Sequence, residues 1–311
     1  MGELKKIIIV GPCAMGCLFA GLLASPEREI WLLGKDPERA LALERRGIVI
    51  ERAGGKVTHQ VKATADPVRA GVADLIIICV KAYDTRAAAQ TLGPAMGPDT
   101  NVLSLQNGLG NVEVLTDLFG PERTLGGTTA QGANLVAPGH VRHAGVGETV
   151  IGQPQGGVER AQRVAVLFRA GGIEARATAD LPGLIWSKLV INAALNPLTA
   201  ILGVKNGVLA ETPAARAIIG QAVNEAVSVC QAKGITLLFP DPVEKALAVA
   251  RATAENISSM FADVRARKKT EIVQINGAVA RAAQELGIDA PVNATLAGMV
   301  SALEQTYRVK V

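Results

Sequence analysis

The sequence predicts an α/β chain in two parts, an N-terminal doubly wound parallel sheet followed by an all-helical C-terminal domain. Near-continuous apolar runs of strand length alternate with helical stretches through the first half. Beyond about residue 180 strand signals nearly vanish, and long Ala-rich segments of 3.6-residue periodicity take over. These observations place the domains at 1–178 and 179–311, and a hydrophobic fraction of 49% in 311 residues is ample for two cores.

The strands come first. "KKIIIVG" (5–11), "EIWLLG" (29–34), "ADLIIICVKA" (73–82) and "TNVLSLQNG" (100–108) are the apolar runs expected of strands covered on both faces. Between the second and third, "KDPERALALERRG" (35–47) reads as a helix with Asp36 as N-cap, Pro37 in its first turn and Gly47 at its stop. "GIVIERAGGKVTHQVKA" (47–63) has two β-rich segments around Gly-Gly, so a hairpin inserted between βα units. A second β-rich region runs from 124 to 151 around the turn "APGH" (137–140). Helices are then expected over 182–202, 212–233, 241–261, 263–287 and 292–306, punctuated by Pro213, Gly234, Pro240, Pro242, Gly287 and Pro291.

Composition excludes several function classes. Cys13, Cys17, Cys79 and Cys230 form no CxxC pair, and His59, His140 and His143 are scattered, so no metal site is expected. The net charge of +4 is dispersed, and the one dense basic run, "RARKK" (265–269), reads as a solvated helix face. With two Tyr, two Trp and five Phe there is little to stack on bases, so no nucleic-acid partner is expected. Apolar runs such as "LIIICV" (75–80) fall short of the ~18 residues of a membrane span, and Met1 leads quickly into a strand; no membrane partner is expected, and the cytoplasm is the default location.

Two stretches carry chemistry. "IIIVGPCAMGCLFAGLLA" sets a strand, a glycine turn and a helix in the order of a dinucleotide-binding unit, which makes the first domain Rossmann-type. Gly11 can make the turn and Gly16 can allow close packing, but Cys13 stands where the motif has its middle glycine. Lys35, first after the second strand, suits the 2′-phosphate of NADP where an acidic residue would suit NAD; alternatively it is simply solvated while Asp36 caps the next helix.

The other stretch is "IWSKLVINAALNPLTAIL" (185–202), in which Lys188, Asn192 and Asn196 recur every fourth residue on an otherwise apolar helix. Burying such groups costs ~1 to 3 kcal/mol each unless they find partners, so the stripe faces solvent, a helix end or something polar. Asn256, Ser259 and Asp263 again keep helical spacing, ahead of a charged helix carrying Glu271, and Asn206-Gly207 marks a turn just after the stripe. One ammonium among carboxamides and a hydroxyl complements a small anionic oxo compound, and a Lys of lowered pKa can donate a proton to it.

Together "GPCAMG", "VKAYDT" (80–85), "QNGLGN" (106–111), "WSKLVINAALNPLTAI" (186–201) and "TAENISSMFADVRARKKTEIVQINGAV" (253–279) resemble the ketopantoate reductase (2-dehydropantoate 2-reductase) family, from about residue 5 to 295. The resemblance implies NADPH-dependent reduction of 2-dehydropantoate to (R)-pantoate, a step of pantothenate and coenzyme A synthesis, in a cleft between a Rossmann domain and a helical domain. It implies Lys188 as proton donor to the C2 carbonyl oxygen, and Asn192, Asn196, Asn206, Asn256, Ser258 and Ser259 as substrate-binding residues alongside it. It implies a phosphate loop of Gly11, Pro12, Cys13, Ala14, Met15 and Gly16, with Lys81, Asn107, Ala133 and Glu271 also at the NADP cofactor, to which the position of Lys35 after the second strand adds that residue. Partners are then a small 2-oxo acid and, as an assembly compatible with the family, a homodimer. Three positions depart from the family pattern: Cys13, Gly34-Lys35 in place of an Arg ending the second strand, and Gln106 where a His often precedes Asn-Gly. The competing readings are a related reductase of another branched 2-oxo acid and a non-catalytic NADP-binding sensor.

Overall fold

The computed structural model describes residues 3–307, which divide into two units. One runs to Gln106 and resumes over Gly110–Leu181; the other joins Asn107–Leu109 to the chain from Pro182 onward. The division falls after Leu181 rather than after residue 178, and residues 107–109 pack with the helical unit rather than with the sheet.

The first unit contains β1 (Lys6–Val10), α1 (Ala14–Leu23), β2 (Glu29–Leu33), α2 (Pro37–Arg46), β3 (Ile48–Arg52), β4 (Gly55–His59), β5 (Lys62–Thr64), α3 (Pro67–Ala70) and β6 (Leu75–Ile78). It continues with α4 (Thr85–Gln90), β7 (Asn101–Ser104), α5 (Asn111–Phe119), β8 (Thr124–Thr129), β9 (Gly132–Ala137), β10 (His140–Gly145), β11 (Thr149–Gly152), α6 (Glu159–Ala170) and β12 (Ala175–Thr178). Eight strands form one sheet in the order β12-β11-β8-β7-β6-β1-β2-β5, parallel from β5 to β8, with β11 antiparallel to β8. Strand order reverses at β1, so the turn leaving β1 lies at the switch point where doubly wound sheets bind ligands.

Strict alternation divides each central strand between two cores. Ile7 and Ile9 with Leu75 and Ile77 join one that includes Phe19 and Phe168; Ile8 and Val10 with Ile76 and Ile78 join another around Leu92 and Leu115. The expected hairpin is β3–β4, but it does not stand alone. β3 pairs in parallel with β10, giving a second sheet of order β4-β3-β10-β9, and α1 packs against that sheet as well as the first. The tail of the predicted hairpin segment leaves it and becomes β5, the edge of the main sheet beside β2. Asp36 caps α2 through Arg39 N–H, and Gly47 ends it, as the sequence predicts.

The second unit comprises α7 (Leu181–Leu202), α8 (Asn206–Glu211), α9 (Pro213–Ala232), α10 (Pro242–Ala252), α11 (Ser259–Arg265), α12 (Asn276–Glu285) and α13 (Pro291–Gln305). Three expectations change here. The helices expected over 241–261 and 263–287 are three, because α10 stops at Ala252 and residues 266–275 are turns. Ser258 starts α11 by accepting from Phe261 N–H, and Arg267, at φ 51°, ends it in a conformation uncommon outside glycine. Asn206, expected in a turn, is the first residue of α8. "RARKK" consequently begins at the last residue of α11 and runs on as exposed non-helical chain rather than as a helix face. α7 is the central helix of this unit's core, with Leu189, Val190, Ala193, Ala194 and Leu198 buried. At 22 residues it is also long and apolar enough to cross a membrane, although Lys188 and the two asparagines interrupt its apolar run; most of it is buried.

Candidate active site

In the first unit the turn after β1 is built to expose backbone donors. Gly11 has φ +103°, and a Cβ on Gly16 would lie 2.0 Å from Gly11 O, so both positions require glycine for the helix to start this close to the strand. Cys13 is the N-cap of α1: its Sγ accepts from Gly16 N–H at 3.4 Å and donates to Cys79 O at 3.0 Å. The thiol is thus turned back onto the end of β6. Burial raises its pKa, partly offset by its bonds to the Gly16 and Met15 amides and by the Lys81 ammonium, so the thiol stays neutral and sets no negative charge against a phosphate.

These residues fit the pyrophosphate of a dinucleotide, since the start of a ten-residue helix presents N–H groups and a positive dipole end, and Lys81 lies near enough to act on Cys13. At the end of β2, Gly34 lies against the phosphate loop, where a Cβ would come within 3.1 Å of the Pro12 ring. Lys35 is exposed beside it. Sequence reasoning missed Arg39, one turn into α2, whose Nη2 donates to Pro12 O at 2.5 Å and whose Nε is buried without a partner among the described residues. Only the i+4 spacing from Lys35 pointed to it. Ala133, on β9 opposite His143, packs into the α1 core. Gln106 spans two loops: its Nε2 donates to Val80 O at 2.7 Å and Thr85 Oγ1 at 2.8 Å, while its Oε1 accepts from Ser104.

In the second unit the stripe of α7 is real. Lys188 and Asn192 are half-buried and Asn196 is buried. Burial brings the Lys188 ammonium down from 10.5 to about 8, and the Glu271 carboxylate, itself buried, pulls the other way. Glu271 sits in a turn rather than on a helix. Asn206 is tied to the 253–256 turn, with its N–H donating to Asn256 O at 3.0 Å and its Nδ2 to Thr253 Oγ1 at 2.8 Å, while its buried Oδ1 has no partner among the described residues. Asn256 is exposed and lies in the loop before α11, not on a helix with Ser259. Asn107 begins the 107–109 segment, held here by Leu109 N–H donating to Gln274 O at 2.9 Å.

Ser258 requires a correction. The proton of Thr199 Oγ1 goes to Asn196 O at 2.9 Å, so the 2.7 Å contact between Thr199 and Ser258 uses the Ser258 proton. Ser258 Oγ also accepts from Phe261 N–H at 3.0 Å, which leaves no donor for a substrate oxygen. Its role is to cap α11 and tie it to α7. A serine directly before an apolar run was the available signal. The neighbouring Ser259 is exposed.

Residues 7–156 match the family model for ketopantoate reductase PanE/ApbA, and residues 180–304 match the model for its C-terminal domain. The chain belongs to the ketopantoate reductase family. The 2-dehydropantoate 2-reductase of Halobacterium salinarum is 39% identical over 95% of this chain and 97% of its own length, and that of Pyrococcus horikoshii 36% identical over 96% and 97%. Among solved structures, a PanE/ApbA family ketopantoate reductase from Ralstonia eutropha JMP134 superposes with a TM-score of 0.87 at 32% identity, covering 97% of this chain and 99% of that one. A D-mandelate dehydrogenase in a ternary complex with NADH and anilino(oxo)acetate superposes with a TM-score of 0.91 at 26% identity, covering 98% and 100%. The chain thus shares its fold both with ketopantoate reductases and with a D-mandelate dehydrogenase.

Proposed function

We propose that this chain reduces 2-dehydropantoate to (R)-pantoate with NADPH. The observation that carries the reading is Lys188: a lysine brought to about 8 by burial, with an opposing carboxylate at Glu271, on the helix that also bears Asn192 and Asn196, in a member of the ketopantoate reductase family. A lysine near neutrality is protonated enough to be an acid and acidic enough to give its proton up.

NADPH, when bound, supplies the hydride that adds to C2 of the oxo acid. Gly11, Pro12, Cys13, Ala14, Met15 and Gly16 hold its pyrophosphate; Lys35 and Arg39 take the 2′-phosphate; Lys81, Asn107 and Ala133 serve the remaining contacts. Lys188 Nζ hydrogen-bonds the C2 oxygen, stabilises the negative charge that develops there and transfers its proton, and solvent then reprotonates the amine. Glu271 keeps the amine protonated. Asn192, Asn196, Asn256 and Ser259 hold the carboxylate and hydroxyl oxygens, and the unpartnered Asn206 Oδ1 is an acceptor for an alcohol O–H. The test is the initial loss of nicotinamide absorbance with purified protein, ketopantoate and NADPH, with NADH in parallel. Rapid NADPH-dependent loss is expected; no loss with either cofactor, or preference for NADH, defeats the respective part of the reading.

A second reading, reduction of another 2-oxo acid, is favoured by the close superposition on D-mandelate dehydrogenase. A kcat/KM for 2-oxo-2-phenylacetate above that for ketopantoate would select it.

A further inference from the structure

α7 contains a proline, Pro197, well inside its span. A proline has no N–H, so the carbonyl four residues earlier, Ala193 O, loses its helical donor, and the proline ring crowds it aside. Asn276 supplies the missing donor: its Nδ2 reaches Ala193 O at 2.9 Å and also Asn293 Oδ1 at 3.0 Å. Asn293 Nδ2 donates in turn to Ala222 O at 3.0 Å and to Glu225 Oε2 at 2.8 Å, and the Glu225 carboxylate accepts the Val292 and Asn293 N–H groups that open α13. Asn276 and Asn293 are both fully buried. Four helices, α7, α9, α12 and α13, are thereby joined at one point.

The orientation of the Asn276 amide is forced. Rotated by half a turn, its oxygen would face Ala193 O and Asn293 Oδ1, two acceptors. As it stands, Asn276 Oδ1 is buried with no partner among the described residues. An apolar side chain would avoid that cost at a fully buried position, so what the asparagine contributes is the donor to Ala193. The carbonyl it bonds lies between Asn192 and Asn196, with Lys188 about one turn before Asn192 on the same helix. Asn276 also heads α12 directly after the turn that begins at Glu271, whose carbonyl accepts from Gln274 and Ile275 N–H. One amide therefore ties the helix of Lys188 to the turn of Glu271.

We propose that Asn276 is a positioning residue that bonds Ala193 O where Pro197 leaves α7 one helical hydrogen bond short, and that this substituted bond sets the register of Lys188, Asn192 and Asn196 against the substrate. The proposal rests on the reading of α7 as the substrate helix. Pro197→Ala returns a helical donor to Ala193 O in competition with Asn276 and removes the ring that crowds that carbonyl; Asn276→Ala removes the substitute donor. For Pro197→Ala we expect a Tm no lower than wild type, NADPH affinity by nicotinamide fluorescence unchanged, and kcat/KM for ketopantoate lowered on the order of 10-fold or more, since misplacement of about 1 Å costs that much. Asn276→Ala should lower both Tm and kcat/KM. In the double variant Tm should recover while kcat/KM stays low, a split that a merely structural role would not produce. Wild-type kcat/KM in Pro197→Ala, or recovery of kcat/KM together with Tm in the double variant, overturns the proposal. An inactive wild type overturns the functional reading and the proposal with it, whereas an active wild type beside an equally active Pro197→Ala overturns the proposal alone.

Discussion

The glycine turn after β1 and helix α7 present polar groups in opposite ways. The loop offers main-chain N–H groups at the start of α1, positioned by two glycines and the end of β1, whereas α7 offers side chains from the middle of an apolar helix. A backbone site depends on the path of the chain, so a side chain can change without loss provided it turns away, as Cys13 does toward Cys79 O. A side-chain site depends on each residue's identity and protonation. Departures from a motif should therefore be tolerated in the first and punished in the second.

Lys188→Ala should break this comparison most visibly, with kcat falling well over ~10²-fold while NADPH affinity holds; near-normal kcat in a steady-state assay would remove Lys188 from the acid role. Next comes Arg39→Ala, a side-chain contribution proposed with Lys35 at the cofactor end. It should weaken 2′,5′-ADP by about 10-fold or more, as for a charge-assisted hydrogen bond of about 1.5 to 3 kcal/mol, and leave 5′-AMP unchanged by calorimetry. Equal losses for both nucleotides would mean that the arginine only supports the loop through Pro12.

Glu271→Gln should act through charge. Because the carboxylate raises the Lys188 pKa, its removal lets burial lower that value further. The acid must be protonated, so wild-type kcat/KM should fall as pH rises through about 8, and the fall should move to lower pH in the variant. An unshifted profile would uncouple the two residues. The same depressed pKa has a stability consequence of definite sign. Between about 8 and the unfolded lysine value the unfolded chain binds the additional proton, so this group's contribution to stability rises with pH across that window. The smallest effect is expected for Cys13→Gly, a change in NADPH affinity of no more than a few-fold; a gain of ~10² would show that the thiol obstructs the loop after all.

Much of this was legible in the sequence because it follows from short-range pattern. β1, β2, β6 and β7 are continuous apolar runs, and α2 carries both its signals, Asp36 and Gly47, within itself. Lys188, Asn192 and Asn196 stood out because polar groups in a buried helix need an explanation. The breaks between α10, α11 and α12 were hidden, since polar residues keep helical spacing straight through them. What stops those helices is tertiary: Asn206 N–H takes the Asn256 carbonyl, and Ser258 is tied to Thr199. Asn276 was illegible for the same reason. "INGAV" falls inside the helix expected over 263–287, and the task of its asparagine is created by a proline far upstream. Likewise nothing local shows that β3 will pair with β10.

α7 also bears on how the chain is made. It is the first helix of its unit to be synthesised, and the helices that cover it, α9, α12 and α13, follow in order up to Gln305. Until they emerge, the growing polypeptide carries 22 residues that meet the length and apolarity of a membrane span with nothing to shield them. Exposed apolar surface of this kind makes partly folded chains prone to aggregate, so the covering of α7 waits on the helices completed at Gln305. Lys188 and the two asparagines on that stretch raise the cost of burying it in lipid.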